Sequence, residues 1–418
     1  MYDYTKFTSF ADVQEGFSRL KKKNKYRRDR SNNKRFINAK DLELNALGKF
    51  LEDFRKSDET YSDVKIFKFY KKLEEFELDP FQALAIPKPG NKDQYRPLLV
   101  PKPKDRLLFD SLYKKVKEAF KPHLKKRDLY GLGILKEKNE KNNEPKVSEI
   151  VSDLYENKIS NGYSFALVLD YSSFFSTIDR DELFKQMEKD EINSDLIEII
   201  KIIINNNIDN VAAVEEKTEV PLKDVGVPQG LAFSPLLACY YTTPIDDLYL
   251  NNSSAQGYRY IDDLAIFFKN KKEAQTSYQK IKEKSDRMNL KLHPLGPKEK
   301  SELIDLSEKP MIYLGAEVSS GGIKIAKSAY CSFYDTISKE IFNNSILDNY
   351  EDKEIKNVFY SYVRGWLNHY ESFGDRDQIL EILDGKIEKF IGKHKKRKAF
   401  YERNSWMKVN ENYEKIME

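Results

Sequence analysis

Two adjacent carboxylates, Asp262 and Asp263, stand inside the string Tyr258 to Phe268 (YRYIDDLAIFF), between two arms rich in aromatic and β-branched residues. That texture predicts a hairpin with the acidic pair at its corner. Like charges a few ångströms apart in a partly buried corner repel strongly unless a cation neutralises them. Mg²⁺ suits such a corner, because it takes oxygen ligands and keeps positions open for phosphate oxygens. Mn²⁺ is its natural substitute. A third carboxylate, Asp170, ends the other strongly apolar strand candidate, Ser164 to Asp170 (SFALVLD). Placed side by side, the two strand ends make a two-metal site: one ion activates an attacking hydroxyl and the other stabilises a departing pyrophosphate. An Asp-Asp pair in a hairpin is also ordinary turn chemistry. The weight therefore falls on its ordered company: a basic proline-rich segment, then Asp170, then GVPQGLAFSP at 226–235, all ahead of the acidic corner.

The elements that must position these groups are legible in outline. The first eighty residues read as helical, with Leu44, Leu47, Leu51 and Phe54 forming one apolar stripe. From Ile86 to Arg106 (IPKPGNKDQYRPLLVPKPKDR) prolines at 87, 89, 97, 101 and 103 exclude a helix. Gly90-Asn91 marks a turn there, giving a hairpin loaded with Lys and Arg. Asp179, with Glu182 three residues on, caps a helix, and Leu196 to Ile204 is an apolar helical run. Ala274, Tyr278, Ile281, Ser285 and Met288 share one helical face, as do Ile379, Ile382, Leu383, Ile387, Phe390 and Ile391 near the end. No internal repeat or low-complexity linker is visible.

Composition narrows the class. At roughly 100–200 residues per domain, 418 residues imply two to four packed units, and 40% hydrophobic content with 25 Phe and 26 Tyr excludes general disorder. No apolar run approaches the roughly 18 residues of a membrane span, and Met1 to Phe10 lacks a signal core, so a cytoplasmic protein without membrane contact is expected. Cys239 and Cys331 are too few for a disulfide framework or a four-thiolate zinc site; Cys239 reads as core. The four histidines are scattered, without ligand spacing. Net charge is only +4, yet Arg19 to Lys40 holds eleven basic residues against one acid, and Lys386 to Arg403 holds eight against two. Such runs point to a polyanionic partner.

In order along about 270 residues, the chain resembles bacterial reverse transcriptases of the group II intron-related lineage. Tyr95 to Arg106 resembles the fingers block of that family. Val168-Leu169-Asp170 with Phe174-Phe175 resembles the first catalytic block. Gly226 to Gly230 with Ser234-Pro235-Leu236 resembles the Pro-Gln-Gly block, and Tyr260 to Asp263 the second catalytic block. Lys300-Ser301 and Tyr313-Leu314-Gly315 resemble the palm lysine and primer grip, and Arg364 to Tyr370 (RGWLNHY) resembles the thumb of intron-encoded enzymes.

The resemblance implies an α+β right-hand polymerase fold with fingers, an antiparallel palm sheet and a helical thumb. A basic helical extension occupies 1–80, fingers and palm 81–325, and the thumb 326–418. It implies RNA-directed DNA synthesis from a primer 3′-hydroxyl, with Asp170, Asp262 and Asp263 as metal carboxylates and the Tyr171 carbonyl as a further ligand. Arg96 and Lys92, with Lys88 and Arg106 nearby, grip the triphosphate, Arg by bidentate contact and Lys as a point charge. Phe175 matches the position under the sugar, where a bulky ring collides with a ribose 2′-hydroxyl. Gln229 and Gly230 line the pocket floor, and Lys300 protonates the leaving pyrophosphate, although Lys298 lies two residues away. Trp366 and Tyr370 read as packing residues, whereas the Arg19 to Lys40 run reads as a phosphate-holding surface.

Ile261 replaces the alanine common in intron-encoded enzymes, and an endonuclease or ribonuclease H domain is not expected here. The chain most resembles stand-alone enzymes of the unknown-group and abortive-infection type, and that resemblance implies a role in antiphage defence. The expected partners are a cognate noncoding RNA as template, the DNA product and deoxynucleotides, with a homo-oligomer or accessory protein as further options. Two other readings stay open: a non-enzymatic RNA-binding or splicing cofactor that keeps the fold, and an RNA-directed RNA polymerase. A signalling nucleotidyltransferase would need neither the thumb nor the basic runs.

Overall fold

Strand burial decides the centre of the molecule. The computed structural model describes residues 2–31, 59–88, 91–124, 129–130, 147–220, 224–297, 299–341, 352–391 and 401. Its main sheet has the order β10 (Glu302–Asp305), β4 (Phe165–Leu169), β8 (Asp263–Phe268), β7 (Ala255–Tyr260) and β3 (Leu129–Tyr130). The first four strands run antiparallel, and β3 lies parallel to β7. Leu264 to Phe268 are all buried, so β8 needs cover on both faces. Successive side chains leave a strand on opposite faces, and they divide accordingly. Leu264, Ile266 and Phe268 join one apolar core, whereas Ala265 and Phe267 join another. The sheet is the partition between the two.

The first core also holds Tyr4, Val13, Phe17 and Leu20 from the chain start, Phe81 and Leu99 from an outer hairpin, and the helices that carry Leu236 and Ile281. Residues of the first eighty thus share a core with the sheet. Their helix Phe10–Ser31 lies along the helix Pro103–Leu124 at a glycine: an added Cβ at Gly16 would sit 2.6 Å from Ser111 Oγ and 2.7 Å from Ser111 N. The second core joins Ile150 and Leu154 of the helix Val147–Asn157 to a small sheet, β11 (Met311–Tyr313), β12 (Ala316–Ser319) and β13 (Gly322–Ile325). Helices Lys327–Asp335, Asp352–His369 and Arg376–Ile391 close over it.

The basic proline-rich segment forms β1 (Phe81–Lys88) and β2 (Asn91–Val100), paired antiparallel from Gln82↔Val100 to Lys88↔Asn91. One expectation fails there. The exclusion of helix through Arg106 is overturned, because Pro103 opens the helix Pro103–Leu124, and proline at a first helical position forfeits only an N–H that has no intrahelical partner. Arg106 therefore stands on a helix, not on the hairpin. Ile382 also departs from its stripe: it is 45% exposed, and Leu380 is buried instead. Tyr370 is buried and Trp366 stacks on Phe333 at 4.6 Å, the geometry of packing residues. The Leu44 to Phe54 stripe, residues 32–40 of the first basic run, and residues 392–400 and 402–403 of the second lie outside the described residues. Among the described residues no helix is long and apolar enough to cross a membrane.

Two glycines test this packing. Gly16→Ala should cost about 1–3 kcal/mol through overpacking against Ser111. Gly365→Ala, facing open space on its helix, should instead gain roughly 0.5–1 kcal/mol. Denaturant unfolding of the two variants should move midpoints in opposite directions; a shared direction would contradict the close approach at Gly16.

Candidate active site

Antiparallel register brings the acidic residues together. Leu169 pairs with Leu264 at the end of β4 and β8, so Asp170 and Asp263 emerge from neighbouring strands at the same edge. Tyr260 pairs with Asp263, leaving Ile261 and Asp262 as a two-residue hairpin loop. Ile261 has φ +58°, a left-handed conformation that is costly for a β-branched residue and is typical of strain held at working sites. Across the first strand end, Ser173 at φ +51° turns the chain sharply from Asp170 into the short helix Phe174–Thr177.

Several groups converge on Asp170. Its main-chain N–H donates to Ser301 Oγ at 3.2 Å, and its carbonyl accepts from His293 N at 2.9 Å. Its carboxylate lies 3.1 Å from Lys300 Nζ and 3.8 Å from His293 Nε2, and those two side chains are 3.4 Å apart. The sequence placed Lys300 here but passed over His293, whose histidine spacing carried no signal. The pairing of β5 (Tyr171–Ser172) with β9 (Lys291–Leu292) delivers it. Lys298 lies outside the described residues.

Electrostatics at the corner are adverse without a cation. Asp262 is held above the ordinary carboxylate range first by lost hydration, with Asp170 adding to it and Arg259 and Lys300 opposing. Asp263 is pushed up to about 7 by lost hydration, then by Asp262 and Asp170, with Lys300 opposing. Asp263 nevertheless reaches solvent, which screens part of this effect. Among the described residues no three carboxylate, imidazole or thiol groups form a ready-made metal cage, and the Asp170 carboxylate is turned to Lys300. The donor set still fits Mg²⁺, which takes oxygen ligands: the groups are carboxylates, and Asp262 and Asp263 are each raised by lost hydration and by acidic neighbours.

Beneath this corner lies a fully buried ion pair. Arg259, one residue before Tyr260, donates from Nε to Asp246 Oδ1 at 2.7 Å, and both side chains are inaccessible to solvent. Tyr249 donates its hydroxyl to the same oxygen at 2.9 Å. Gly257 on β7 makes room for that ring, since a Cβ there would lie 2.3 Å from it. Tyr171, next to Asp170, is buried beside Arg259 and places its hydroxyl 3.4 Å from Ser285 Oγ. From the other side Tyr313 donates to the Asp263 carbonyl at 3.3 Å, tying β11 to the acidic strand. Neither Arg259 nor Asp246 was singled out in the sequence; an Arg beside the acidic string was the available signal.

The residues expected to meet the nucleotide are spread over several elements. Phe175 is half-buried, edge-on to Phe174 at 5.4 Å. Gln229 is tied to the outer hairpin, its carbonyl accepting from Leu99 N at 2.7 Å. Gly230 at φ +116° has no room for a side chain, because a Cβ would meet the Leu99 carbonyl at 2.5 Å. Arg96 is exposed on β2, and Arg106 stands on the first turn of the following helix. Lys88 and Lys92 lie on the two arms near the turn, with side chains outside the described residues. Arg19, first of the basic run, is engaged within the protein by Glu15 at 2.9 Å and by the Asp110 carbonyl.

Residues 86–318, more than half of the chain, match the family described as reverse transcriptase (RNA-dependent DNA polymerase). No curated protein is similar enough to match. Among solved structures, apo telomerase from Candida tropicalis aligns with a TM-score of 0.45 at 12% identity, over 78% of this chain and 63% of that one. Telomerase from Candida albicans, in complex with the TWJ fragment of telomeric RNA, aligns with a TM-score of 0.43 at 12% identity, over 84% and 64%. The chain spans a little under two thirds of the length of those telomerase chains.

A carboxyl raised toward neutrality gives up its proton when a cation arrives. At about pH 6.5, Mg²⁺ added to metal-free protein should release protons, less so in Asp263→Asn, and the release should fade above about pH 8, where the group is already ionised. Calorimetry in two buffers of different ionisation enthalpy measures this. Binding without proton release at the lower pH would contradict the raised carboxyl.

Proposed function

Because this chain belongs to the reverse transcriptase (RNA-dependent DNA polymerase) family, we propose that it copies RNA into DNA by adding deoxynucleotides to a primer 3′-hydroxyl. The observation that carries this reading is the register that sets Asp170 beside Asp263 at one sheet edge, with Asp262 in the adjoining loop. Asp170, Asp262 and Asp263, with the Tyr171 carbonyl, would hold two Mg²⁺ ions, which would supply ionisation of the attacking hydroxyl and charge compensation for the leaving pyrophosphate. The chain does the remaining work. Arg96, Lys92, Lys88 and Arg106 neutralise and orient the triphosphate, Gln229 and Gly230 support the nucleotide, and Phe175 refuses a 2′-hydroxyl. Lys300, already 3.1 Å from Asp170, is placed to give a proton to the pyrophosphate oxygen as it departs.

In this reading residues 81–325 are fingers and palm, 326–418 the thumb, and 1–80 a basic helical extension. The template is a cognate noncoding RNA, held in part by the basic runs, and the setting is cytoplasmic antiphage defence in bacteria. The lineage rests on the motif order and on Arg364 to Tyr370. A non-enzymatic RNA-binding role is disfavoured by the intact carboxylate set, and RNA synthesis by the ring at Phe175.

Purification from the native host with bound nucleic acid retained, followed by sequencing and then addition of Mg²⁺ with labelled nucleotides, tests the proposal. One enriched RNA and deoxynucleotide incorporation are expected; ribonucleotide incorporation alone would overturn it. Asp262→Ala should abolish synthesis and leave RNA binding within about twofold, since the lost group acts on the reaction and not on phosphate contacts. Polymerisation retained by that variant would sink the two-metal assignment.

A further inference from the structure

Arg180 is a buried cation on neutral partners. It is 3% exposed; its Nε donates to the Gly226 carbonyl at 2.7 Å and its Nη1 to Asn205 Oδ1 at 2.7 Å. Burial lowers its pKa to about 10, against the pull of Asp224, so the guanidinium keeps its charge at neutral pH. Holding a charge among carbonyl and amide oxygens is an expensive way to fill space, and an apolar side chain would do that more cheaply. What the guanidinium adds is direction, because its planar fork fixes two acceptors at once.

Those acceptors sit at a joint between two parts of the nucleotide pocket. The segment from Phe175 to Arg180 and the loop from Asp224 to Val227 are laced by main-chain bonds. Val227 N donates to the Phe175 carbonyl at 2.7 Å, Gly226 N to the Ile178 carbonyl at 2.7 Å, and Arg180 N to the Asp224 carbonyl at 3.4 Å. Two residues on, the same loop becomes the floor: Ser234 Oγ donates to the Pro228 carbonyl, and the Gln229 carbonyl accepts from Leu99 N. The far anchor is Asn205, which follows the helix Ser194–Ile204, whose Ile203 and Ile204 are buried in the first core. Arg180 thus ties the floor loop to a rigid helix end at the point where that loop meets the backbone of Phe175.

We propose that Arg180 is a positioning residue for sugar selection: it holds the loop carrying Gln229 and Gly230 at a fixed distance from the ring of Phe175, so that the space at the sugar 2′ position admits hydrogen and refuses hydroxyl. The inference rests on the reading of Phe175 as the residue that faces the 2′ position. Without the fork, the Gly226 carbonyl loses its side-chain donor and the loop relaxes away from the ring.

The readout is a ratio, which a loss of folded or active protein does not move. Full-length protein is measured in Mg²⁺ in two ways: relative incorporation efficiency of dATP over ATP on a poly(rU) template with an oligo(dA) primer, and relative affinity of dATP over ATP in competition with a fluorescent dATP analogue. Phe175→Ala should lower both ratios by about tenfold or more, and Arg180→Met by roughly three- to tenfold, with Arg180→Lys between wild type and Arg180→Met. Should Arg180→Met fail to fold, Asn205→Ala removes only the second acceptor and should lower the ratios by about twofold. If Phe175→Ala lowers the ratios while the Arg180 and Asn205 variants weaken dATP and ATP equally, Arg180 is merely structural and the proposal falls, with the gate reading intact. If Phe175→Ala leaves the ratios unchanged, the gate reading itself fails and takes the proposal with it.

Discussion

Mutual repulsion among Asp170, Asp262 and Asp263 is the constraint on which the rest of the structure turns. Antiparallel pairing of β4 and β8 forces two of these charges to one edge, and the two-residue loop adds the third. Nothing about strand pairing rewards that outcome, since like charges side by side weaken a sheet. The surroundings offset it. Lys300 and His293 stand at the Asp170 carboxylate, and the main chain of Asp170 is fixed by Ser301 and His293. Asp262 and Asp263 are both raised by lost hydration and by their acidic neighbours, a condition that suits a divalent cation.

Rigidity below the corner comes from the Arg259–Asp246 pair. Two fully buried charges are held by one another and by the Tyr249 hydroxyl, in a region where Gly257 lets the tyrosine ring lie on the strand. Removing one partner of such a pair typically costs about 3–5 kcal/mol, because the other is left uncompensated. The arrangement is therefore poor as a source of stability and good at specifying one position for the hairpin. It lies between the strand that ends near Asp262 and the segment that follows Asp170, and so bears on both. Ile261 at φ +58° shows the same priority, with a strained turn tolerated where the acidic loop must be placed.

The sheet also explains how distant segments are brought together. Its two faces support separate cores, so the outer hairpin, the loop through Val227 and the Phe174–Phe175 turn all pack on one side, whereas β11 to β13 and the C-terminal helices pack on the other. Tyr313 bridges the two at the Asp263 carbonyl. The contacts among these segments run through the backbone: Val227 N donates to the Phe175 carbonyl and Leu99 N to the Gln229 carbonyl.

Residue types and their order were sufficient for the acidic corner, the apolar strands, the helix capped by Asp179 and the lysine at 300. Each depends on local chemistry: alternation, capping and charge crowding act within a few residues of the chain. Other features were invisible because they depend on which segments meet. His293 carries no ligand spacing, and only β9 pairing with β5 brings it to Asp170. Pro103 looked like a break because proline forbids a helix interior, but at a first turn it does no harm. Arg180, Arg259 and Asp246 look like any charged surface residues in a chain that is one third charged; burial, which turns each into a directional constraint, exists only once the cores have closed around them. Chain order alone established which chemistry was available. Packing of distant segments set where the charges lie and what neutralises them, because electrostatic energy depends on distance and desolvation, which chain order does not encode.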